Sequence, residues 1–170
     1  IRGLVGSEMC IRDSISSFGE EFNFKSTEIN VLEKGNLVIA EKGVKIETQN
    51  NLIIEGEKSE YNKKKQTLKI IGNVKLYDKI NNIIINSDNI NYLKDKELIF
   101  SEGKTVAEIE NRYFVDSIDL KFNRNTMEIY SKKKTSVKDN KGYYFSLDDF
   151  NLNIKKKFLK GENVYLKDIS

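Results

Sequence analysis

From Leu37 onward, apolar and polar residues alternate in short runs, as in Thr67-Leu68-Lys69-Ile70 and Ile118-Asp119-Leu120-Lys121-Phe122. Strict alternation places one set of side chains in a core and the other in water, which is the pattern of half-buried β-strands. Leu, Ile, Val, Phe and Tyr carry most of the apolar content, a bias that favours strands over helices. Each run ends in a polar turn, such as Asn62-Lys63-Lys64-Lys65, Lys94-Asp95-Lys96, Asn123-Arg124-Asn125 and Lys155-Lys156-Lys157. Short polar loops between alternating runs are hairpin signals.

The runs repeat. Tyr61, Tyr92, Phe122 and Ile154 recur at intervals of 31, 30 and 32. Val44, Val74, Val106 and Val137 recur at 30, 32 and 31, and Leu37, Leu68 and Leu98 at 31 and 30. Three sets of positions share one period, which marks a repeat architecture. The unit reads as a strand, a glycine-containing bend (Lys42-Gly43-Val44, Gly72-Asn73-Val74, Gly103 before Val106), a second short strand, a polar loop, and two further strand pieces. The third unit has Gly103-Lys104-Thr105 and the fourth Lys133-Lys134-Thr135-Ser136 in place of the Gly-Asn bend, so the sheet is expected to curve differently there. The predicted fold class is all-β, built from roughly 30-residue repeats of short strands.

The alternation assigns Leu37, Ile39, Leu68, Ile70, Val74, Leu76, Ile83, Ile85, Ile90, Tyr92, Leu98, Phe100, Val106, Phe114, Ile118, Leu120 and Phe122 to the inner face. Ordinary core packing accounts for each residue singly. Taken together they also suit a lipid groove, if the fold leaves part of that face open.

Composition narrows the chemistry. The 170 residues contain no histidine, one cysteine, no proline and no tryptophan. Histidine is the commonest general base and metal ligand, so its absence removes Ser-His and Cys-His nucleophilic systems. Asp148 and Asp149 are adjacent on a strand and point to opposite faces, so they form no dyad. Gly72-Asn73 and Gly161-Glu162 are bends with no helix N-terminus after them, hence no phosphate cradle. No acidic loop has calcium-ligand spacing. The chain reads as a non-enzyme with no cofactor and no metal. The net charge of +3 comes from 29 basic and 26 acidic side chains, too even for a dedicated nucleic-acid binder. The runs Lys63–Lys65 and Lys155–Lys157 fall at turn positions and read mainly as solvated turns, with contact to anionic groups, lipid phosphates included, as the secondary reading.

The N-terminus stands apart. Glu8-Met9-Cys10-Ile11-Arg12-Asp13-Ser14 resembles the translation of a sequencing adapter, and residues 1–14 are set aside on that ground. Residues 15–19, with Ser17 and Gly19 in a small-x-small arrangement, fit the tail of a secretory signal peptide. Residues 20–170 read as one domain. Its last run, Phe158 to Leu166, begins another strand–glycine–strand unit, so further sequence is expected beyond it.

Leu68-Lys69-Ile70-Ile71-Gly72-Asn73-Val74-Lys75-Leu76 followed by Asp88-Asn89-Ile90-Asn91-Tyr92 resembles the repeat of the OstA-like family. That family includes the bridge protein LptA and the N-terminal periplasmic domain of the translocon LptD. The opening Phe22-Asn23-Phe24 looks more like the latter. The resemblance implies a twisted, partly open β-jelly roll of antiparallel strand repeats in the periplasm, tethered to the outer membrane where a C-terminal barrel follows. It implies lipopolysaccharide as partner, with lipid A acyl chains in the groove. It also implies stacking of jelly-roll subunits by edge-strand addition, with Phe22, Asn23, Phe24 and Lys25 as the docking edge. An acyl chain of about a dozen carbons left in water costs on the order of 9 kcal/mol, which an apolar groove removes without chemistry. The alternatives are a sealed structural β-solenoid of the adhesin type and a carbohydrate-active or carbohydrate-binding sandwich. The latter usually needs exposed tryptophan or paired carboxylates.

Overall fold

A computed structural model gives the structure of residues 4–5, 8–11 and 22–168. The signal-peptide reading of residues 15–19 and part of the segment 1–14 lie outside the described residues.

The strands are β1 (Leu4–Val5), β2 (Glu8–Ile11), β3 (Phe22–Leu32), β4 (Leu37–Thr48), β5 (Leu52–Asn62), β6 (Thr67–Asp78), β7 (Ile83–Leu93), β8 (Leu98–Ile109), β9 (Tyr113–Ile118), β10 (Lys121–Asn123), β11 (Glu128–Ser131), β12 (Thr135–Asp139), β13 (Tyr143–Asn153) and β14 (Phe158–Asp168). All pairings are antiparallel. From β3 to β8 each strand pairs with the next. β9 and β10 together line the far edge of β8, and β12 and β11 line them in turn. β13 spans both of those, and β14 closes the order.

Each long strand carries a bulge near its middle, where the register shifts, as between Glu41 and Val44 or Ile71 and Val74. The backbone there is left-handed at Lys42-Gly43, at Gly72-Asn73 and at Gly103. Glycine adopts that conformation without a Cβ penalty, and bulges bend and twist the strand. The two strand pieces read on either side of each glycine are therefore one bent strand, not two strands. Where lysines replace the glycine, at residues 132–134, the strand is interrupted outright, into β11 and β12.

The bends fold the sheet onto itself. In a flat sheet β3 and β7 would lie four strand spacings apart, about 19 Å. Instead the Phe22 ring of β3 meets Tyr61 of β5 at 4.9 Å and Tyr92 of β7 at 6.3 Å, edge to face. Two half-sheets thus face each other across a single core, joined by the row of bends. The core runs from Phe22 and Phe24 through Ile46, Ile54, Ile70, Leu76, Ile85 and Ile90 to Phe122, Val137 and Leu152.

Two rows of turns line the ends of the bent strands. The first comprises residues 33–36, 63–66, 94–97, 124–127 and 154–157. Its turns are stitched by backbone bonds from Lys63 to Asn36, Lys94 to Gln66, Arg124 to Glu97 and Ile154 to Met127. The second comprises residues 49–51, 79–82, 110–112 and 140–142, stitched from Lys79 to Asn51, Glu110 to Asn82 and Asn140 to Arg112. This stacking is the physical origin of the period. Local chemistry sets the turns. Asn62, Asn123 and Asn153 each end a strand and accept a backbone N–H two or three residues on, from Lys65, Asn125 and Lys156.

The constant turn corrects the alternation in three places. Tyr61 pairs with Leu68, Tyr92 with Ile99 and Phe122 with Ile129, always seven residues on. Ile99 and Ser101 therefore face inward, and Leu98 and Phe100 outward. In the same way Val38 and Ala40 are inside, not Leu37 and Ile39. Beyond the bend of β8, Thr105 and Ala107 are inside, which puts Val106 on the surface. Phe114 and Ile118 follow, since they pair with Glu108 and Lys104 on the outer face.

Candidate functional site

The groove candidates divide by face. Leu68, Ile70, Val74, Leu76, Ile83, Ile85, Ile90, Tyr92, Leu120 and Phe122 are fully buried and belong to one contiguous core. Leu98 and Phe100 are half-buried on the outside, and Phe114 and Ile118 are exposed there. Through β8 the inner face is closed by the opposite half-sheet.

The closure ends at the C-terminal strands. Residues directly opposite in an antiparallel pair share a face. The inner row therefore runs from Val115 to Val137 to Phe145 to Leu166. Val115 and Val137 are sealed and Phe145 is half-buried, whereas Leu166 is 56% exposed. Val164 and Tyr143 are exposed beside it. The apolar interior thus emerges at β14.

At the other end, Phe22 and Phe24 point into the core, and Asn23 and Lys25 point to solvent. The outer backbone edge of β3 is paired with β2, in the register Ile11 to Phe22 through Glu8 to Lys25.

A row of hydroxyls fills the inside of the bends. Ser101 Oγ accepts from the Leu120 N–H at 2.9 Å, and Thr105 Oγ1 donates to Ser101 Oγ at 2.6 Å. Ser117 and Thr135 hydroxyls meet at 2.7 Å, and Ser131 donates to the Ile118 carbonyl. The two half-sheets converge at the bend, so only short side chains fit. The hydroxyls satisfy backbone groups that the bulges leave out of the ladder.

An ionic cluster joins the two turn rows. Arg124, in the first row, donates Nε to Asp78 Oδ2 at 3.0 Å and Nη1 to Glu97 Oε2 at 2.6 Å. Its Nη2 reaches the Asn50 carbonyl of the second row at 3.5 Å. Tyr92 donates its hydroxyl to Glu97 at 2.8 Å. The Arg124 side chain is 8% exposed and that of Asp78 0%. Burial opposes the guanidinium charge. The Asp78 carboxylate, then Tyr92 and Glu97, outweigh it and hold the pKa above its ordinary value. Sequence reasoning missed this cluster. Its one signal is an arginine at a turn position in a chain whose basic residues beyond residue 14 are otherwise lysine, Arg112 excepted.

Among the described residues, no three His, Cys, Asp or Glu side chains gather as metal ligands. No helix among them is long and apolar enough to cross a membrane.

A scan of protein families finds no match to the chain, and neither does a search of curated proteins. Among solved structures the chain is similar to that of LptH from Pseudomonas aeruginosa, described as the LptA-homologous periplasmic component of the conserved lipopolysaccharide transport device. The superposition has a TM-score of 0.61 at 9% identity and covers 70% of this chain and 95% of that one. The chain has the all-β, LptA-like jelly-roll fold.

Proposed function

We propose that this domain carries lipopolysaccharide through the periplasm, holding lipid A acyl chains against its inner apolar face. Two features support the reading. The fold is shared with a lipopolysaccharide-transport component. The inner face is continuous and emerges at Val164 and Leu166, which carries the argument, since a conduit needs an open end. Transfer from one apolar surface to another avoids the cost of exposing an acyl chain to water and needs no catalytic step. Subunits stack by strand addition: β14 offers one edge, and the Phe22–Lys25 edge accepts an antiparallel strand in the way it pairs with β2. The reading covers both a free bridge subunit and the N-terminal domain of a translocon whose barrel tethers it to the outer membrane.

The test is photo-crosslinking to lipopolysaccharide from Leu166, Ile90 and Leu120, with Lys64 as the surface control. Adducts from Leu166 and the interior positions, and none from Lys64, are expected. A folded protein with no adduct at any of the three interior-face positions refutes the conduit. The second reading, a sealed structural β-repeat, is favoured by the full burial of Ile90 and Leu120, and that outcome selects it.

A further inference from the structure

The lysines of β4 and β5 are neutralised: Lys42 pairs with Glu28 at 3.0 Å, Lys45 with Glu55 at 3.2 Å and Lys58 with Glu41 at 2.9 Å. On the other strand faces Lys69, Lys75, Lys104, Lys121, Lys138 and Lys160 are exposed, dispersed over the sheet and in no ion pair among the described residues. In the first turn row lysines gather instead. Lys34, Lys64, Lys65, Lys96, Lys155, Lys156 and Lys157 are exposed there, and among the described residues none of the seven is in an ion pair. The exposed acids of that row are Glu33 and Asp95.

Turn stacking sets the spacing. Successive turns of the row are two strands apart, about 10 Å, so five turns extend over about 40 Å. The ion cluster at Arg124 ties this row to the second one, so both rows border one side of the molecule. On that side two large apolar side chains stand in water: Ile80, 65% exposed in the second row beside Lys79, and Phe158, 56% exposed directly after Lys155–Lys157.

We propose that this side is a docking surface for the headgroup layer of an anionic lipid bilayer. A row of separate point charges suits a fluid array of phosphates, whereas defined phosphate geometry is usually met by bidentate arginine. The one arginine of the row is buried in its ion cluster. Exposed Ile and Phe flanking lysines match the interfacial arrangement, with apolar groups entering the headgroup boundary and ammonium groups at its surface. Nucleic acid is the disfavoured partner, since it would leave Ile80 without a role. The inference goes beyond the conduit and does not need it: bilayer docking holds or fails whether or not acyl chains enter the interior.

The test is cosedimentation with vesicles of phosphatidylcholine, alone or with one-third phosphatidylglycerol, at low and high salt. The protein is expected to sediment with the anionic vesicles only, and less at high salt. Each lysine near an anionic surface contributes about fivefold to partitioning, so Lys155→Gln/Lys156→Gln/Lys157→Gln is expected to lose about a hundredfold. The triple Lys64→Gln/Lys65→Gln/Lys96→Gln, far along the row, provides a second variant. The control is Lys132→Gln/Lys133→Gln/Lys134→Gln, exposed at the bend, five residues or about 17 Å along the strands from the row. It removes the same charge and is expected to retain most of the binding. Equal loss in control and row variants, no binding by the parent protein, or displacement of the vesicles by duplex DNA overturns the proposal.

Discussion

Removal of the Arg124 guanidinium by Arg124→Met tests whether the ion cluster holds the two turn rows together. Methionine has a similar length and apolar stem, so the change deletes charge with little change in packing. In the parent protein Arg124 faces a fully buried Asp78 and a mostly buried Glu97. Glu97 keeps the Tyr92 hydroxyl, and Asp78 keeps the Asn81 backbone and side-chain donors at 3.1 and 2.8 Å. Breaking a buried pair by removing one partner costs about 3–5 kcal/mol, and the retained donors place this case near the lower bound. That is a large share of a domain stability of about 5–15 kcal/mol. The assay is urea unfolding followed by far-ultraviolet circular dichroism. With a slope of about 2 kcal/mol/M, the midpoint falls by about 1.5 M. Adding Asp78→Leu removes the stranded carboxylate as well and is expected to restore at least half of the loss, since replacing both ions with apolar groups is often neutral. A single-variant loss below about 1 kcal/mol, as at a surface ion pair, refutes the reasoning. So does a double variant no more stable than the single.

Two further predictions follow from the strands. An alanine Cβ at Gly56 would lie 2.6 Å from Ile70 Cγ2, a side chain locked in the core, so Gly56→Ala is expected to destabilise by about 1–3 kcal/mol in the same urea assay; an unchanged midpoint sinks the tight-contact argument. The strand-face ion pairs set a pH profile. Hydrogen bonding from Lys42, then Asn30, lowers the Glu28 pKa, so its contribution is present above the ordinary 4.5 and fades as pH falls through the lowered folded value. Hydrogen bonding to Glu28, Glu55 and Glu41 raises the pKa values of Lys42, Lys45 and Lys58; their contribution is full below the ordinary 10.5 and fades as pH rises through the raised values. Thermal melts should therefore show a plateau between the two limits with shallow declines outside it, both flattened by salt; a maximum at either extreme contradicts the assignment.

The sequence by itself determined the strand class, the period and the turns. Alternation is a local property. Asn62, Asn123 and Asn153 build their turns from their own side chains, and Gly43, Gly72 and Gly103 take up a backbone conformation that few other residues tolerate. Ten of the fourteen groove candidates lie on the inner face for that reason. Leu98, Phe100, Phe114 and Ile118 were misplaced because side-chain type does not fix register. The seven-residue hairpin step does, and a one-residue slip exchanges the faces. Four matters were decided only when distant strands met. The bulges folded the sheet so that Phe22 reached Tyr92. The convergence at the bends selected Ser101, Thr105, Ser117 and Thr135 as inner residues. The meeting of the turn rows put Arg124 against Asp78, 46 positions away in the chain. The last is which part of the apolar face stays open: Leu166 and Val115 lie on the same inner face, but only Val115 is covered by the opposite half-sheet. Local pattern carries none of these, because each depends on how far the sheet curls before its halves touch.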